Sequence, residues 1–380
     1  MKKITTLAFL TLFFFTLTTN ANTRDKVFVV ERESSTLAVL NHNLLTNKIK
    51  GMHNLNHAVV KFKDNEAYVI TRDGYVIKFD PINEVKIKEY RVSKSTIGFT
   101  IGENFLAVAN YDNQTVEILS RDLDHIQTIK TDSRNVGIKL YKDYLVFECM
   151  DSDEIWVMKN TQIKAKSPHF ELHKKLLNVG KVPFDAMIKD NLYIAGFFNS
   201  PTIGVLNLDT LSFKEIALDL DKKNRVLKVP HFGLWSISDN YFFIPAVGAK
   251  NVLVFDHEFN LIKNIEVIGS PVFTSLSPDK RYLAVTFSGK NFPKVQIIDT
   301  QTFKVIKDLE LEGMVLHVRW SSNGKYLYLS INDTNEVLAY NTAGWWKNFM
   351  FPVDKPSGIF IYKMESKPIS VGGGELQPLQ

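Results

Sequence analysis

Leu55-Asn56-His57-Ala58-Val59-Val60-Lys61-Phe62, followed by Ala67-Tyr68-Val69-Ile70-Thr71-Arg72-Asp73-Gly74-Tyr75-Val76-Ile77-Lys78-Phe79-Asp80, sets out the unit from which the chain is built. Apolar residues alternate between turn formers. The stretch therefore predicts a strand, a polar turn, a second strand, a tight Arg72-Asp73-Gly74 turn and a third strand. His57 opens the first strand, at a sheet rim from which an imidazole can reach a metal. Arg72, on the turn after the second strand, is placed to meet a carboxylate.

The third strand of this unit recurs along the chain. Its copies are Leu37-Ala38-Val39-Leu40-Asn41, Val76-Ile77-Lys78-Phe79-Asp80, Val116-Glu117-Ile118-Leu119-Ser120, Ile155-Trp156-Val157-Met158-Lys159, Val205-Leu206-Asn207-Leu208-Asp209, Val252-Leu253-Val254-Phe255-Asp256, Val295-Gln296-Ile297-Ile298-Asp299 and Val337-Leu338-Ala339-Tyr340-Asn341. Their spacing averages about 43 residues, the period of four-stranded propeller blades. A second strand precedes most copies, as in Leu106-Ala107-Val108-Ala109 and Tyr282-Leu283-Ala284-Val285. Turn formers such as Ser277-Pro278-Asp279-Lys280 fill the gaps, and helical periodicity is almost absent. The expected fold is all-β, an eight-bladed β-propeller. A ring of sheets must close or expose its edges. Lys26-Val27-Phe28-Val29-Val30-Glu31 and Ser357-Gly358-Ile359-Phe360-Ile361-Tyr362 are expected to complete one blade from both ends of the chain.

Composition narrows the function classes. Hydrophobic residues at 45% and charged residues at 23% suit a globular body and exclude disorder or a polytopic membrane protein. The net charge of +5 is small for 380 residues, and no basic run is interleaved with aromatics; nucleic acid is not an expected partner, whereas an anionic small ligand is favoured. Met1-Lys2-Lys3 and the apolar run Leu7 to Leu17 form a signal-peptide pattern, with small residues for cleavage after Ala21. The chain is expected to divide into a leader at 1–21, a propeller at 22–365 and a loose tail at 366–380, with export to a periplasm and no membrane span after cleavage; an uncleaved membrane anchor is the alternative. Cys149 is the only cysteine, so neither a disulfide nor a Cys-x-x-Cys-His haem attachment can form; beside Phe147 and Met150 it reads as a small buried apolar residue.

Several short motifs carry a resemblance. Asn56-His57-Ala58, Thr71-Arg72-Asp73-Gly74, Val108-Ala109-Asn110-Tyr111, Asp151-Ser152-Asp153-Glu154-Ile155-Trp156, Val182-Pro183-Phe184-Asp185-Ala186, Val229-Pro230-His231-Phe232, Gly269-Ser270-Pro271-Val272-Phe273, Val315-Leu316-His317 and Lys355-Pro356-Ser357-Gly358 run in order across nearly the whole chain after the leader. Together they resemble the cytochrome d1 type propellers, and among them the NirF-type proteins of haem d1 biosynthesis. The resemblance implies a non-covalent iron tetrapyrrole, haem d1 or its precursor. It implies His57 as iron ligand and His231 on the opposite face, where a second histidine can donate or accept a proton. Without the resemblance, His57 reads first as a hydrogen-bonded core histidine. The acidic arms of such a macrocycle call for guanidinium groups, for which Arg72 and Arg134 are candidates, with Tyr111 lining the ring edge. Asp151 is a candidate general base provided that desolvation raises its pKa; otherwise it is a turn cap. Asp185 is a weaker candidate, and Trp345-Trp346 reads as packing or an interaction patch.

The chain departs from the cytochrome cd1 nitrite reductases in lacking an electron-entry haem c domain, and it has Pro271-Val272-Phe273 where those enzymes carry a further histidine, so nitrite reduction itself is not expected. The implied role is conversion of a late haem d1 precursor, by dehydrogenation or side-chain modification, for nitrite reductase maturation. Other haem d1 maturation proteins and nitrite reductase are the implied partners. A non-catalytic haem d1 carrier is the alternative, and an interaction-only propeller the third.

Overall fold

The repeated middle strands are apolar on both faces, which a sheet tolerates only when both of its faces are covered. In the computed structural model, which describes residues 24–163, 167–218, 236–289 and 291–364, they are covered by neighbouring blades. Tyr75–Asp80 and Phe105–Asn110 are buried almost without interruption, whereas the outermost strand Val85–Arg91 is exposed along nearly its whole length. The described residues form eight four-stranded antiparallel sheets and no helix, an eight-bladed β-propeller. All eight third-strand copies fall on the third strand out from the ring axis of their blade. No described helix is long and apolar enough to cross a membrane.

Each blade is sealed to the next by interdigitated apolar side chains. Phe147, Trp156 and Cys149 of one blade share a cluster with Ala107, Val116 and Ile118 of the blade before it. Removing a ring such as Phe147, fully buried there, costs about 3–5 kcal/mol. Burial pushes the Cys149 thiol well up, so it is an unreactive packing residue as expected. Trp345 is likewise packing, set edge-on to Tyr282 and Trp320 at 5.5 and 6.0 Å, while Trp346 stays half exposed.

The ring is closed by its two ends. Arg24–Glu31 pairs antiparallel with Pro356–Met364, with Phe28 opposite Phe360 and Val29 opposite Ile359, and the sheet continues outward through Thr36–Asn41 and Leu44–Ile49. Pro356–Met364 is thereby the axial strand of the closing blade.

The axial strands hold the feature that positions the site. Among the described residues, six blades have an axial strand that carries one residue more than its partner near its first residues. The shifts lie at Thr96/Gly98, Val136/Lys139, Pro183/Asp185, Pro271/Thr274 and Val315/His317, and opposite Val29/Glu31 in the closing blade. Such bulges bend a strand and re-aim its side chains. All six open toward the same end of the ring, the end that His57 also occupies.

Candidate functional site

The loop before the first axial strand is anchored by Met52 and Leu55, both fully buried. The Ala58 amide donates to the Leu55 carbonyl at 3.1 Å, closing a turn in which His57 has φ +58°. Histidine is among the few side chains that accept this left-handed conformation. The same loop is tied to the Arg72 turn: the Arg72 amide donates to the Asn54 carbonyl at 2.8 Å and the Asn54 amide to the Asp73 carboxylate at 3.2 Å. Gly74 makes that turn possible. It sits at φ +89°, and a Cβ there would lie 2.2 Å from the Ser93 carbonyl oxygen. His57 and Arg72 are thus fixed relative to each other by backbone. Enclosure, then Arg32 and Arg72, lower the His57 pKa below its ordinary value, so its imidazole is neutral at pH 7.

The other expected site residues share this end of the ring but form their own network. Arg134 grips Asp151 through Nε at 2.9 Å and Nη2 at 2.6 Å, its amide donates to the same carboxylate at 2.8 Å, and Nη1 donates to the Tyr111 hydroxyl at 2.9 Å. Both Arg72 and Arg134 lie over the Tyr111 ring, at 5.3 and 5.1 Å from its centre. The structure corrects one expectation here. Asp151 is not desolvated into a base: the Arg134 hydrogen bonds hold its carboxyl below the usual range. The fork of Arg134 is spent on this chain's own groups, whereas Arg72 makes no salt bridge among the described residues. Asp153 of the same hairpin reaches the next blade, accepting from the Val182 amide at 2.8 Å and from Lys181. His231 lies outside the described residues.

Inside the mouth, the bulged strands enclose a cavity of about 500 Å3 along the ring axis. The extra residues of the bulges form its walls: Ile97, Gly137 and Ile138, Phe184, Val272 and Phe273, Leu316, Ser357 and Gly358. Phe99 and Phe360 complete an apolar lining, and His57 stands at its edge. Arg72, Tyr111, Arg134 and Asp151 are not part of the lining; they flank it at the rim.

Four cations of the lining escaped the sequence reading: Arg32, Lys61, Lys139 and Arg319. None has a salt bridge among the described residues. The Arg32 Nε is buried without a hydrogen-bond partner, and desolvation lowers its pKa. Lys61 is enclosed by the ring on every side; what surface it keeps belongs to the cavity. It lies 5.2 Å from the centre of the Phe99 ring and donates to the Phe99 carbonyl. Burial pushes its pKa down to about 7, with Lys139 adding repulsion and Asp185 partly offsetting it. Arg319 is pushed down to about 10 by burial. The signal available was a lysine in the otherwise apolar run Val59-Val60-Lys61-Phe62, but alternation alone cannot tell a channel-facing position from a solvent-facing one.

His317 also lines the cavity. Its Nδ1 accepts from the Ile359 amide at 3.1 Å, and burial drops its pKa well below the ordinary value, so the ring is neutral with its proton on Nε2. Behind Gly137 lies Glu148, fully buried, with neither carboxylate oxygen hydrogen-bonded. Burial and then Asp185 push its pKa well up, so this carboxyl is neutral. Gly137 is required there: at φ +62°, its missing Cβ leaves the space taken by the Glu148 carboxyl and the Tyr193 hydroxyl.

The chamber suits a flat, largely apolar, polyanionic ligand with an atom that imidazole can ligate. Its volume is of small-molecule size, its walls are aromatic and aliphatic, and an orphaned guanidinium nitrogen faces an excess of cations. Among the described residues no three His, Cys, Asp or Glu side chains gather to hold a bare metal ion, so a metal at His57 would have to bring its other ligands with it.

Comparison with known proteins agrees with this geometry. The chain matches the cytochrome D1 heme domain family over residues 21–364. It is 30% identical over 357 residues to protein NirF of Pseudomonas aeruginosa, spanning 88% of this chain and 90% of that protein. It is 29% identical over 363 residues to protein NirF of Stutzerimonas stutzeri, spanning 89% and 92%. Among solved structures, dihydro-heme d1 dehydrogenase NirN in complex with DHE superposes with a TM-score of 0.76 at 21% identity, covering 88% of this chain and 74% of that one. Apo AztD from Citrobacter koseri superposes with a TM-score of 0.68 at 11% identity, covering 91% and 99%. At these identities the structural likeness speaks for the fold alone.

Proposed function

This chain belongs to the cytochrome d1 haem domain family, with the NirF proteins as its relatives, and from that premise we propose that it binds a late iron tetrapyrrole precursor of haem d1 in its axial chamber and takes part in converting it for nitrite reductase maturation. The observation that carries the reading is the chamber itself. A neutral imidazole stands at the edge of an apolar cavity in whose described lining cations outnumber carboxylates. His57 would ligate the iron, and Arg32 and Arg72 would pair with acidic arms at the mouth. Tyr111 would present its ring edge, while Asp151 serves as the fixed counter-charge that aims Arg134. His231 is assigned to the opposite face on the resemblance alone.

The bound macrocycle would supply the redox-active centre. This chain's own contribution is to exclude water with Phe99, Phe184, Phe273 and Phe360, to orient the ring through His57, and to offer a hydrogen-bond donor at His317 Nε2. The reading carries with it a periplasmic mature chain beginning at residue 22, a tail from 366, and haem d1 maturation proteins and nitrite reductase as partners. Sequencing the amino terminus of the protein recovered from a periplasmic fraction checks the first of these.

A second reading, the non-catalytic carrier that hands haem d1 to partner proteins, is favoured by the clamped state of Asp151, which is thereby not a poised base. An absorbance titration of the mature protein with haem d1 tests binding, repeated with His57→Ala and His231→Ala. A Soret shift that disappears in His57→Ala is expected; an identical shift in that variant removes His57 from the iron. Incubation with the purified precursor and an electron acceptor then separates the readings, since spectral conversion requires the enzyme and its absence under tight binding leaves the carrier.

A further inference from the structure

The rim arginines flank the mouth, yet a second set of cations stands deeper in the channel, where a ligand held by rim contacts alone would leave it unused. Lys61 lies in the first axial strand, Lys139 in the third and Arg319 in the seventh, and all three line one cavity without an ion pair among the described residues. Their side-chain hydrogen bonds go only to backbone: Lys61 to the Phe99 carbonyl, Arg319 to the Val318 carbonyl at 3.2 Å. Enclosed cations without counter-charges are costly, and protein interiors keep them where a ligand completes the pairing. We propose that Lys61, Lys139 and Arg319 form an anion receptacle in the depth of the channel, separate from the rim arginines, that takes in one carboxylate arm of the ligand together with one proton. This deepens the tetrapyrrole reading and rests on it for the identity of the arm.

The proton belongs to Lys61. Facing it are Lys139, whose charge opposes its own, and Asp185, whose charge favours it; Arg32 and His57 lie toward the mouth. Glu148 stands behind Gly137 as a neutral acid, and His317 is neutral, so neither adds a counter-charge at pH 7. In the free protein Lys61 therefore sheds its proton near pH 7, and above that pH it enters the complex uncharged. A carboxylate seated between Lys61 and Lys139 restores the charged form, so binding draws one proton from solvent at pH 8 and almost none at pH 6, where Lys61 already carries it.

The probe is metal-free mesoporphyrin, with two carboxylate arms and no iron for His57, compared with its dimethyl ester. Calorimetry of the mature protein in two buffers of different ionisation enthalpy counts the protons. The expected result is about one proton taken up per mesoporphyrin at pH 8, near none at pH 6, and none with the ester. Lys61→Met should abolish the uptake and weaken binding about tenfold. Lys139→Met gives an independent signature that needs no change at Lys61: burial still lowers the Lys61 pKa, but with the repulsion gone Lys61 holds its proton to higher pH and the uptake at pH 8 shrinks. Equal uptake in the wild type and both variants, or none in the wild type, overturns the receptacle. So does failure of mesoporphyrin to bind while an iron porphyrin still shifts its Soret band, an outcome that leaves the tetrapyrrole reading standing. Failure of both ligands overturns the two together.

Discussion

At the end of the ring away from the chamber mouth, Lys78 and Arg121 are saturated with counter-charge. Lys78 pairs with Glu66 at 2.6 Å and Asp122 at 2.8 Å, Arg121 pairs with Glu66 at 2.6 Å and Asp64 at 2.8 Å, and the Tyr68 hydroxyl donates to Glu66 at 2.8 Å. In the chamber, Arg32, Lys61, Lys139 and Arg319 have no such salt-bridge partners among the described residues. The same residue types are thus treated in opposite ways by one fold. Where charge serves the blade, the chain pairs both signs; where it faces the axis, the described lining sets Arg32, Lys61, Lys139 and Arg319 against the carboxylate of Asp185. The rim arginine Arg134 is intermediate, its fork held by Asp151 and Tyr111 yet exposed beside the mouth.

The largest effect expected from this contrast is on affinity. Replacing Arg32 and Arg72 together by Met should weaken haem d1 binding by about 100-fold, roughly 3 kcal/mol for two charge-assisted contacts, and leave the melting temperature unchanged or raised, because an unpaired buried cation has been removed. Equilibrium titration alongside a thermal melt measures both, and a variant that melts early while binding normally would reverse the assignment. Arg121→Ala should do the opposite. It removes the Arg121 contact to Asp64 and one of the three contacts to Glu66, and should cost about 2 kcal/mol of stability, a fall of a few degrees, with haem d1 affinity untouched.

Glu148 sharpens the comparison through pH. Its folded pKa is raised well above the unfolded value of 4.5, so the native state keeps a proton that the unfolded chain releases. Its contribution is full below pH 4.5 and is lost as pH rises toward the folded value, at about 1.4 kcal/mol per pH unit. Glu148→Gln should flatten that decline in denaturant melts recorded from pH 5 upward; an unchanged slope would mean that the carboxyl is ionised in the fold. The smallest effect belongs to Asp151→Asn. The amide retains a contact for Arg134 while loosening its fork, and haem d1 affinity should change by about threefold or less.

Much of this architecture was legible because the middle strands of a blade are buried on both faces and therefore read as apolar runs at a fixed interval. Val76–Asp80 and Val252–Asp256 are recognisable without knowledge of any neighbour. The closure by Lys26–Glu31 and Ser357–Tyr362 followed from the need to cover an edge. His57, Arg72, Tyr111, Arg134 and Asp151 do share one end of the ring, since a turn that follows every second strand returns to the same side. What stayed hidden depends on closure. Lys61, Lys139 and Arg319 sit on axial strands, whose inward face meets a chamber that exists only once eight blades are assembled, so each reads locally as an ordinary surface cation. The bulges that aim Phe184, Phe273 and Leu316 inward were equally invisible, because one extra residue leaves no mark in an alternation five or six residues long. Asp151 was misread for a related reason: its partner Arg134 lies 17 positions away in sequence, and the pairing lowers the pKa that burial alone would have raised.

The pairing of Arg24–Glu31 with Pro356–Met364 also bears on when the chamber comes into being during synthesis. Arg32 is carried at the end of the first of these strands and Ser357, Gly358 and Phe360 by the other, so one wall of the cavity is divided between the earliest and the latest parts of the propeller to leave the ribosome. A nascent chain lacking its last axial strand would have a gap beside Arg32 and nothing to enclose a macrocycle. On the tetrapyrrole reading proposed above, ligand capture would follow completion of the chain, and acquisition of the ligand by a freshly made chain would time the moment at which the ring snaps shut.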